Sequence, residues 1–336
     1  MDLGLAVAVG LAFAFAFTNG FHDASNSIAT LVATRSARPG PALVLATACI
    51  LVGPFLLGSA VARTIAGIVD VEPDSTVEVV TAALLAALCW NLATWYRGLP
   101  SSSSHALVGG LAGAAIADAG LDAVNWVSFD GWRPLGMVGV LVALAISPVL
   151  GAAAALLVLR SLRFALRRAT RRFEGPVRDV QWATAGLLAV SQGANDVQKA
   201  VGVVAAVLLA EGTTSSLDAP FSATLGAALA MAAGTALGGW RIVRTIGRRI
   251  YDLRPVDSLA SQSGSAAVVL CASLAGAPVS TTHVVASSVV GAGAGRRRWS
   301  RIRWAVVREM GLAWLLTIPA TAALAAVALT TWRWVT

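Results

Sequence analysis

Ten apolar segments, separated by short polar or basic connectors, most strongly limit how this chain of 336 residues can fold. Most of them approach the roughly 20 residues that a helix needs to span a membrane. The chain is 57% hydrophobic and only 12% charged, a composition that excludes an ordinary soluble domain. Because a membrane span must satisfy its own backbone hydrogen bonds, the segments are expected to be helices. They fall at 3–34, 41–62, 76–97, 101–118, 134–159, 181–210, 219–239, 258–276, 279–295 and 304–331.

Arginine placement predicts the orientation of these segments. The connector 160–178 carries seven arginines, and 241–254 and 296–303 carry five each. Basic residues beside membrane segments are retained on the cytoplasmic side, so these connectors are expected there. Five segments in each half then place both termini outside and make the two halves inverted. We predict a multi-pass protein of the cell membrane with a first inverted repeat at 1–159, a basic cytoplasmic connector at 160–180 and a second inverted repeat at 181–336.

Two matching stretches place ionisable residues in the middle of apolar segments. Residues 19–26 read Asn-Gly-Phe-His-Asp-Ala-Ser-Asn, and residues 192–199 read Gln-Gly-Ala-Asn-Asp-Val-Gln-Lys. A charged side chain at the centre of a membrane helix costs about 2.5 to 3.5 kcal/mol, so such residues usually face a cavity and carry function. Here they are Asp23 in the first stretch and Asp196 with Lys199 in the second. In inverted repeats, substrate sites lie near the midplane where the repeats meet, and we expect the site there.

A second pair of motifs predicts a helical hairpin in each half. Residues 98–105 read Gly-Leu-Pro-Ser-Ser-Ser-Ser-His, and residues 276–283 read Gly-Ala-Pro-Val-Ser-Thr-Thr-His. A helix that begins inside the membrane has unpaired N–H groups and a positive dipole end. Serine and threonine hydroxyls there either cap the helix or add donors for an anion. The two hairpin tips are therefore expected to hold an oxyanion.

All three histidines of the chain, His22, His105 and His283, lie inside these motifs. They are expected to orient neighbouring hydroxyl or carboxylate groups rather than to contact a substrate. The three cysteines are isolated in apolar runs, with no metal-binding spacing. Neither a metal site nor a cofactor is expected.

These motifs resemble the PiT family of inorganic phosphate transporters. The matching elements are Gly-Phe-His-Asp-Ala-Ser-Asn at 20–26, Trp-Asn-Leu-Ala-Thr-Trp-Tyr at 90–96, Gly-Ala-Asn-Asp at 193–196, Gly-Trp-Arg at 239–241 and the turn at 278–283. The resemblance implies an all-α membrane protein, a bundle of about ten apolar segments in two inverted repeats, each with a helical hairpin. It also implies import of inorganic phosphate by symport with a cation.

The resemblance further implies roles for individual residues. Asp23, Asp196 and Asn19 are implied to hold the coupling cation, and no residue is expected to be catalytic. The sodium-coupled pattern has asparagine where this chain has Lys199, so H+ is favoured over Na+ as the coupling ion. The implied substrate-binding residues are Ser102, Ser103, Ser104, Ser280, Thr281, Thr282, Asn26, Asn195 and Lys199.

Several alternatives remain open from the sequence. A transporter of sulfate or another tetrahedral oxyanion could use the same scaffold, and phosphate could travel as a neutral metal complex. An intramembrane hydrolase built on Ser104 or Thr282 is disfavoured, because a catalytic set needs one copy whereas these motifs occur twice, and no Gly-x-Ser-x-Gly elbow is present. The expected partners are inorganic phosphate and membrane lipid, with a homodimer left open. Nucleic acid is not expected, because the arginines lie in short connectors without interleaved aromatic residues.

Overall fold

The computed structural model describes residues 3–130, 133–168, 174–296 and 299–335, most of which are helical. The helices are α1 (Leu3–Ala33), α2 (Pro39–Val52), α3 (Ala60–Ala66), α4 (Pro73–Arg97), α5 (Ser103–Ala119), α6 (Gly136–Ala165), α7 (Glu174–Ala210), α8 (Phe221–Leu237), α9 (Trp240–Arg244), α10 (Pro255–Leu274), α11 (Thr281–Gly295) and α12 (Trp304–Val335). Two short strands, β1 (Ser128–Asp130) and β2 (Arg133–Leu135), pair antiparallel before α6. Short 3₁₀ turns lie at Gly53–Phe55, Leu121–Ala123 and Trp299–Arg301, and a π-turn lies at Thr245–Arg249.

Each of the ten predicted segments corresponds to one helix or to one bent helix pair. Among the described residues, five helices are long and apolar enough to cross a membrane, or up to seven spans if each bent pair counts as one. The bends are 76° between α2 and α3 and 59° between α8 and the α9 segment. Pro54 follows Gly53 at the first bend, and two glycines precede Trp240 at the second. The prediction of an all-α polytopic bundle is therefore confirmed.

Both ends of the predicted basic connector 160–180 are helical. Helix α6 continues to Ala165 and α7 begins at Glu174, so Arg160 and Arg178 both lie on helices. Long arginine side chains at a helix end can reach the membrane surface while their helix continues below it. Residues 169–173 of this connector, and Arg297 and Arg298 of the 296–303 connector, lie outside the described residues.

The order of elements repeats in the two halves of the chain. Each half has a long helix, a bent pair, a hairpin and a second long helix, which is α1 to α6 in the first half and α7 to α12 in the second. The hairpins, α4–α5 and α10–α11, turn through Gly98 and Gly276, whose φ angles of 66° and 70° favour glycine. If each bent pair crosses the membrane once, each half has an odd number of spans, whether its hairpin arms cross the membrane or turn back within it. An odd number of spans in each half agrees with the predicted inversion of the two repeats.

The repeats interlock rather than pack as separate bundles. Helix α5 packs on α12 and α11 on α6, while α1 packs on α8 and α7 on α2. A Cβ atom at Gly20 would meet the backbone of Met231, and one at Gly193 would meet the backbone of Ile50. These close approaches, each made by a motif glycine, hold α1 and α7 in the middle of the bundle, where the two helices also touch each other.

Candidate functional site

The two motif carboxylates lie on unbroken helices in the centre of the bundle. Helix α1 runs continuously through Asp23, and α7 runs continuously through Asp196. Both residues are almost fully buried, at 3% and 2% exposure. The carboxylates therefore do not cap a helix break, and their partners must come from neighbouring elements.

The first turn of α11 supplies a hydroxyl donor to each carboxylate. Thr281 Oγ1 donates to Asp196 Oδ2 at 3.0 Å, and Thr282 Oγ1 donates to Asp23 Oδ1 at 2.7 Å. The Asn26 amide nitrogen donates to both threonine hydroxyls at 3.3 Å. Successive residues of one hairpin tip thus join carboxylates from both repeats.

Lys199 connects α7 with both hairpin tips. Its Nζ donates to Asp196 Oδ1 at 2.5 Å, to Ser104 Oγ at 2.6 Å and to the Val279 carbonyl oxygen at 2.9 Å. Ser104 Oγ also donates to the Val279 carbonyl oxygen at 3.3 Å. The lysine is 0% exposed, and these three oxygens match the three donors of its ammonium group.

The N-termini of α5 and α11 are capped in the same way. The N-cap hydroxyls of Ser102 and Ser280 accept from the backbone N–H groups of His105 and His283, at 3.2 and 3.3 Å. Ser102 Oγ is also 2.7 Å from His105 Nδ1. The hydroxyl of Ser103 is buried and has no hydrogen-bond partner among the described residues. Two of the predicted anion donors therefore act as helix caps in this structure, while Ser103 keeps an unused donor.

The three histidines occupy two different positions. His22 Nδ1 lies 3.0 Å from Asp23 Oδ1, and its Nε2 lies 3.4 Å from Thr94 Oγ1. His105 and His283 lie against each other, with ring centroids 4.5 Å apart, and the His283 ring is 3.9 Å from that of Trp314. His22 thus contacts a carboxylate, whereas the other two histidines pack behind the hairpin tips.

Asn19 and Asn195 complete the predicted set. Asn19 is buried one turn before Asp23, and its amide oxygen has no partner among the described residues. The Asn195 amide nitrogen donates to Ser273 Oγ at 3.1 Å and to the Ala277 carbonyl oxygen at 3.2 Å. Asn195 therefore binds the end of α10 and the turn after it rather than a carboxylate.

The sequence predictions missed Gln192 as a member of the site. Its amide nitrogen donates to the Asp23 carbonyl oxygen at 3.0 Å, and its amide oxygen accepts from Ser27 at 2.7 Å. The signal was present, because Gln192 occupies in the second motif the position of Asn19 in the first. Gln198, in contrast, pairs with the backbone at the bend between α2 and α3, where its amide oxygen accepts from the Val61 N–H at 2.9 Å.

Comparisons with known proteins point to a single family. A model of the phosphate transporter family matches residues 19–175 and 165–325. A protein of Bacillus subtilis (strain 168), named "probable low-affinity inorganic phosphate transporter", is 38% identical over 337 residues, which cover 98% of each chain. A Mycobacterium bovis protein of the same name is 42% identical over 319 residues, covering 94% of this chain and 74% of that protein. A solved structure described as "the sodium-dependent phosphate transporter" matches over the whole of both chains, with a TM-score of 0.87 and 26% identity.

Proposed function

Because this chain belongs to the phosphate transporter family, we propose that it imports inorganic phosphate by symport with protons. The family assignment makes the chain a multi-pass membrane transporter and not an enzyme, so the hydrolase hypothesis is set aside. It also favours phosphate over sulfate as the substrate. The proposal also covers the coupling ion, the roles of the site residues and the orientation of the chain in the membrane.

One observation carries the proposal: the first turn of α11 donates to Asp23 and to Asp196, and Lys199 joins Asp196 to both hairpin tips. Hydroxyl donors, helix N-termini and buried charges from both repeats therefore meet at one point. Helix N-termini with free N–H groups bind anions, and broken helices in transporters point such termini at substrates. We assign the phosphate to the space between the tips of α5 and α11.

The charges of the site support coupled transport. With two carboxylates and one ammonium ionised, the site carries one net negative charge before phosphate arrives. A buried site of that charge disfavours a further anion unless positive charge accompanies it. A cation that neutralises a carboxylate therefore belongs to the substrate-binding step, and we assign Asp23 and Asp196 to it, with Asn19 beside them.

Lys199 supports H+ rather than Na+ as that cation. The carboxylate, hydroxyl and carbonyl oxygens around its ammonium are the ligand types that hard cations such as Na+ take in transporters. A permanently tethered ammonium in this place leaves a mobile Na+ without those ligands. The solved relative is named sodium-dependent, so the proposal separates this chain from that relative on the basis of one side chain.

Within the site, we propose two groups of residues with different tasks. Ser103, whose hydroxyl has no partner among the described residues, donates to the phosphate oxygens together with the first N–H groups of α5 and α11. Ser104, Thr281 and Thr282 join it when phosphate oxygens replace their present acceptors, which are the Val279 carbonyl oxygen and the two carboxylates. The other residues shape the site: Asn26 orients the two threonine hydroxyls, Ser102 and Ser280 cap the helices, and Asn195 fixes the second hairpin.

Uptake into proteoliposomes with separately imposed proton and sodium gradients tests the proposal. Phosphate accumulation should follow the proton gradient and persist without sodium, and sulfate in excess should not compete. Uptake driven only by sodium would contradict proton coupling, and equal competition by sulfate would show that the site does not select phosphate over sulfate.

We also propose that the arginine-rich connectors face the cytoplasm and that both termini are external in the cell membrane. Single cysteines placed between Arg160 and Arg168 should then resist impermeant thiol reagents in intact cells. Cysteines near Asp74 or Gly212 should react. The reverse pattern would invert the orientation without affecting the assignment of phosphate. A homodimer and specific lipid contacts stay predictions.

A further inference from the structure

A row of buried polar side chains leads from the carboxylates toward the arginine-rich side of the protein. It joins the halves of α1, α7, α10 and α11 that lie nearest the arginine-rich connectors, and we call it the polar seam. The seam consists of Thr30, Thr34, Gln181, Thr184, Ser258, Ser261, Gln262, Ser265 and Ser288. Except for Thr184, which is partly buried, all of these residues are buried.

Hydrogen bonds run across the seam between different helices. The Gln262 amide nitrogen donates to Thr30 Oγ1 at 3.0 Å, and Thr184 Oγ1 donates to the Gln262 amide oxygen at 2.8 Å. Thr34 Oγ1 donates to the Gln181 amide oxygen at 3.2 Å. The seam is closed here, but the bonds that close it are between neutral polar groups that water can replace.

Three donors in the seam have no partner among the described residues. They are the hydroxyls of Ser258 and Ser265 and the amide nitrogen of Gln181, and all three residues are 0% exposed. Buried polar groups in proteins are nearly always hydrogen-bonded, so unpaired donors need an explanation. Ser258 and Ser265 lie two turns apart on α10 and therefore share one face of the helix. A row of unused donors is complementary to an oxyanion.

The equivalent positions of the first repeat are apolar. Aligned on Pro100 and Pro278, residues Ser258, Ser261, Gln262 and Ser265 of α10 correspond to Val80, Ala83, Leu84 and Ala87 of α4. The four α4 residues are as deeply buried, at 0 to 1% exposure. The scaffold therefore does not require polar side chains at these positions.

One packing contact supports this equivalence independently. Ser261 Oγ lies 2.5 Å from Ser288 Oγ, which links α10 with α11. Their counterparts, Ala83 and Gly110, also meet, because a Cβ atom at Gly110 would lie 2.7 Å from the Ala83 carbonyl oxygen. The same pair of positions packs in both hairpins, with two hydroxyls in one and none in the other.

We propose that the polar seam is the path by which phosphate leaves the central site toward the arginine-rich side, and that Ser258, Ser265 and Gln181 form a transit site for it. This rests on the proposed phosphate transport. Opening a path along the equivalent α4 residues would expose apolar side chains to water, which the hydrophobic effect opposes. Opening the polar seam instead replaces hydrogen bonds within the protein by hydrogen bonds to water. Ionisable and polar residues within membrane segments commonly line such pathways.

Matched cysteine pairs test this path. In a background with Cys49, Cys89 and Cys271 replaced by alanine, Ser265→Cys is compared with Ala87→Cys, and Ser258→Cys with Val80→Cys. Serine to cysteine is nearly isosteric and breaks no recorded bond of these two hydroxyls, and Val80→Cys removes volume, so folding should persist. The seam cysteines should react with a small thiol reagent added to the arginine-rich side of oriented vesicles. Phosphate should slow their reaction. Because the predicted repeats are inverted, the α4 positions lie toward the opposite side, so the α4 cysteines are treated from that side, and they should stay unmodified.

Transport by the same vesicles separates the two proposals. Ser265→Val should lower the phosphate uptake rate about tenfold, the loss of one hydrogen bond to an anion, while Ala87→Val should change it little. If the unmodified chain takes up phosphate but α4 cysteines react as fast as their α10 counterparts, or if phosphate gives no protection, the seam is not the path. If the unmodified chain takes up no phosphate at all, the proposed function fails, whatever the labelling shows.

Discussion

Asp23 and Asp196 occupy equivalent positions on α1 and α7, yet their carboxylates have different partners. Asp23 accepts a hydrogen bond from Thr282 and contacts the His22 ring, while Asp196 accepts from Thr281 and pairs with the Lys199 ammonium. Among the described residues, Asp196 thus has its counter-charge built into the chain, and Asp23 has neither lysine nor arginine in contact. The comparison indicates that the two carboxylates have different roles, because only one of them has a counter-charge within the chain. Under the proposed cation coupling, Asp23 is therefore the carboxylate whose counter-charge we expect the coupling cation to supply.

The hairpins differ in the same manner. Val80, Ala83 and Leu84 face the interior of the first repeat where α10 carries hydroxyl and amide groups. Backbone packing is shared, because motif glycines allow the same close approaches in both repeats. An inverted repeat therefore fixes where helices meet and leaves each half free to differ in chemistry. The same helix packing can therefore hold polar side chains in one repeat and apolar side chains at the equivalent positions of the other.

The largest effect is expected from the two carboxylates themselves. Asp23→Asn and Asp196→Asn should each abolish phosphate accumulation, because each removes an ionisable group from the site. Only Asp196→Asn leaves the Lys199 ammonium buried without its counter-charge, a change that costs about 3 to 5 kcal/mol. Uptake assays and thermal unfolding in detergent measure the two consequences separately. Equal loss of stability in both variants, or wild-type uptake by either, would break the comparison between the carboxylates.

Changing the lysine should affect the coupling ion. Lys199→Asn gives the second repeat the amide that the first repeat has at Asn26, and it removes the tethered ammonium from its oxygen ligands. Uptake by this variant should depend less on the proton gradient and gain a dependence on sodium. Lys199→Ala, which removes the ammonium without supplying an amide oxygen, is the matched control and should lose transport with either ion. Full proton-driven uptake by Lys199→Asn would make the lysine a purely structural partner of Asp196.

Loss of single hydroxyls should lower phosphate affinity without abolishing transport. A hydrogen bond to a charged group contributes about 1.5 to 3 kcal/mol, so Ser103→Ala and Thr281→Ala should each weaken phosphate binding roughly 10- to 150-fold. The two variants differ in stability, because Ser103 has no recorded partner to lose whereas Thr281 bonds Asp196. Phosphate titrations and unfolding curves on the same samples would show this. Unchanged affinity in both variants would place the anion elsewhere.

Much of the fold was predictable because it follows from local patterns. Runs of apolar residues predicted ten segments, five in each half, and the arginines predicted which connectors face the cytoplasm, an orientation that stays a prediction. The interlocking of α5 with α12 and α11 with α6 was not predictable, because it depends on contacts between distant segments. Repetition of the motifs, rather than any single residue, predicted that Asp23 and Asp196 share one site.

The finer chemistry of the site depended on side-chain reach. Spacing placed Lys199 beside Asp196, but only the fold shows that its ammonium also reaches Ser104 and the Val279 carbonyl oxygen. Similarly, adjacent threonines at 281 and 282 serve different carboxylates, which no one-dimensional pattern indicates. The polar residues of α10 were visible in the sequence, but their meaning appears only when the two hairpins are aligned and their burial is compared.

The smallest effect, a change in the free energy of unfolding, is expected from exchanging threonine and valine at one pair of equivalent positions in the two repeats. Thr30 accepts a hydrogen bond from Gln262, and Val203 occupies the equivalent position on α7 when the motif aspartates are aligned. Thr30→Val removes that bond and leaves the buried Gln262 amide nitrogen unpaired, which should cost about 1 to 3 kcal/mol. Val203→Thr should cost less, because a threonine hydroxyl within a helix can bond the carbonyl oxygen one turn earlier, as Thr317 of α12 does with Ala313 at 2.7 Å. Since both changes preserve side-chain shape, unfolding curves of the two variants isolate polarity from packing. A larger loss for Val203→Thr would mean that the α7 position excludes a polar group more strictly than the α1 position requires one, which would sharpen the chemical difference between the two repeats.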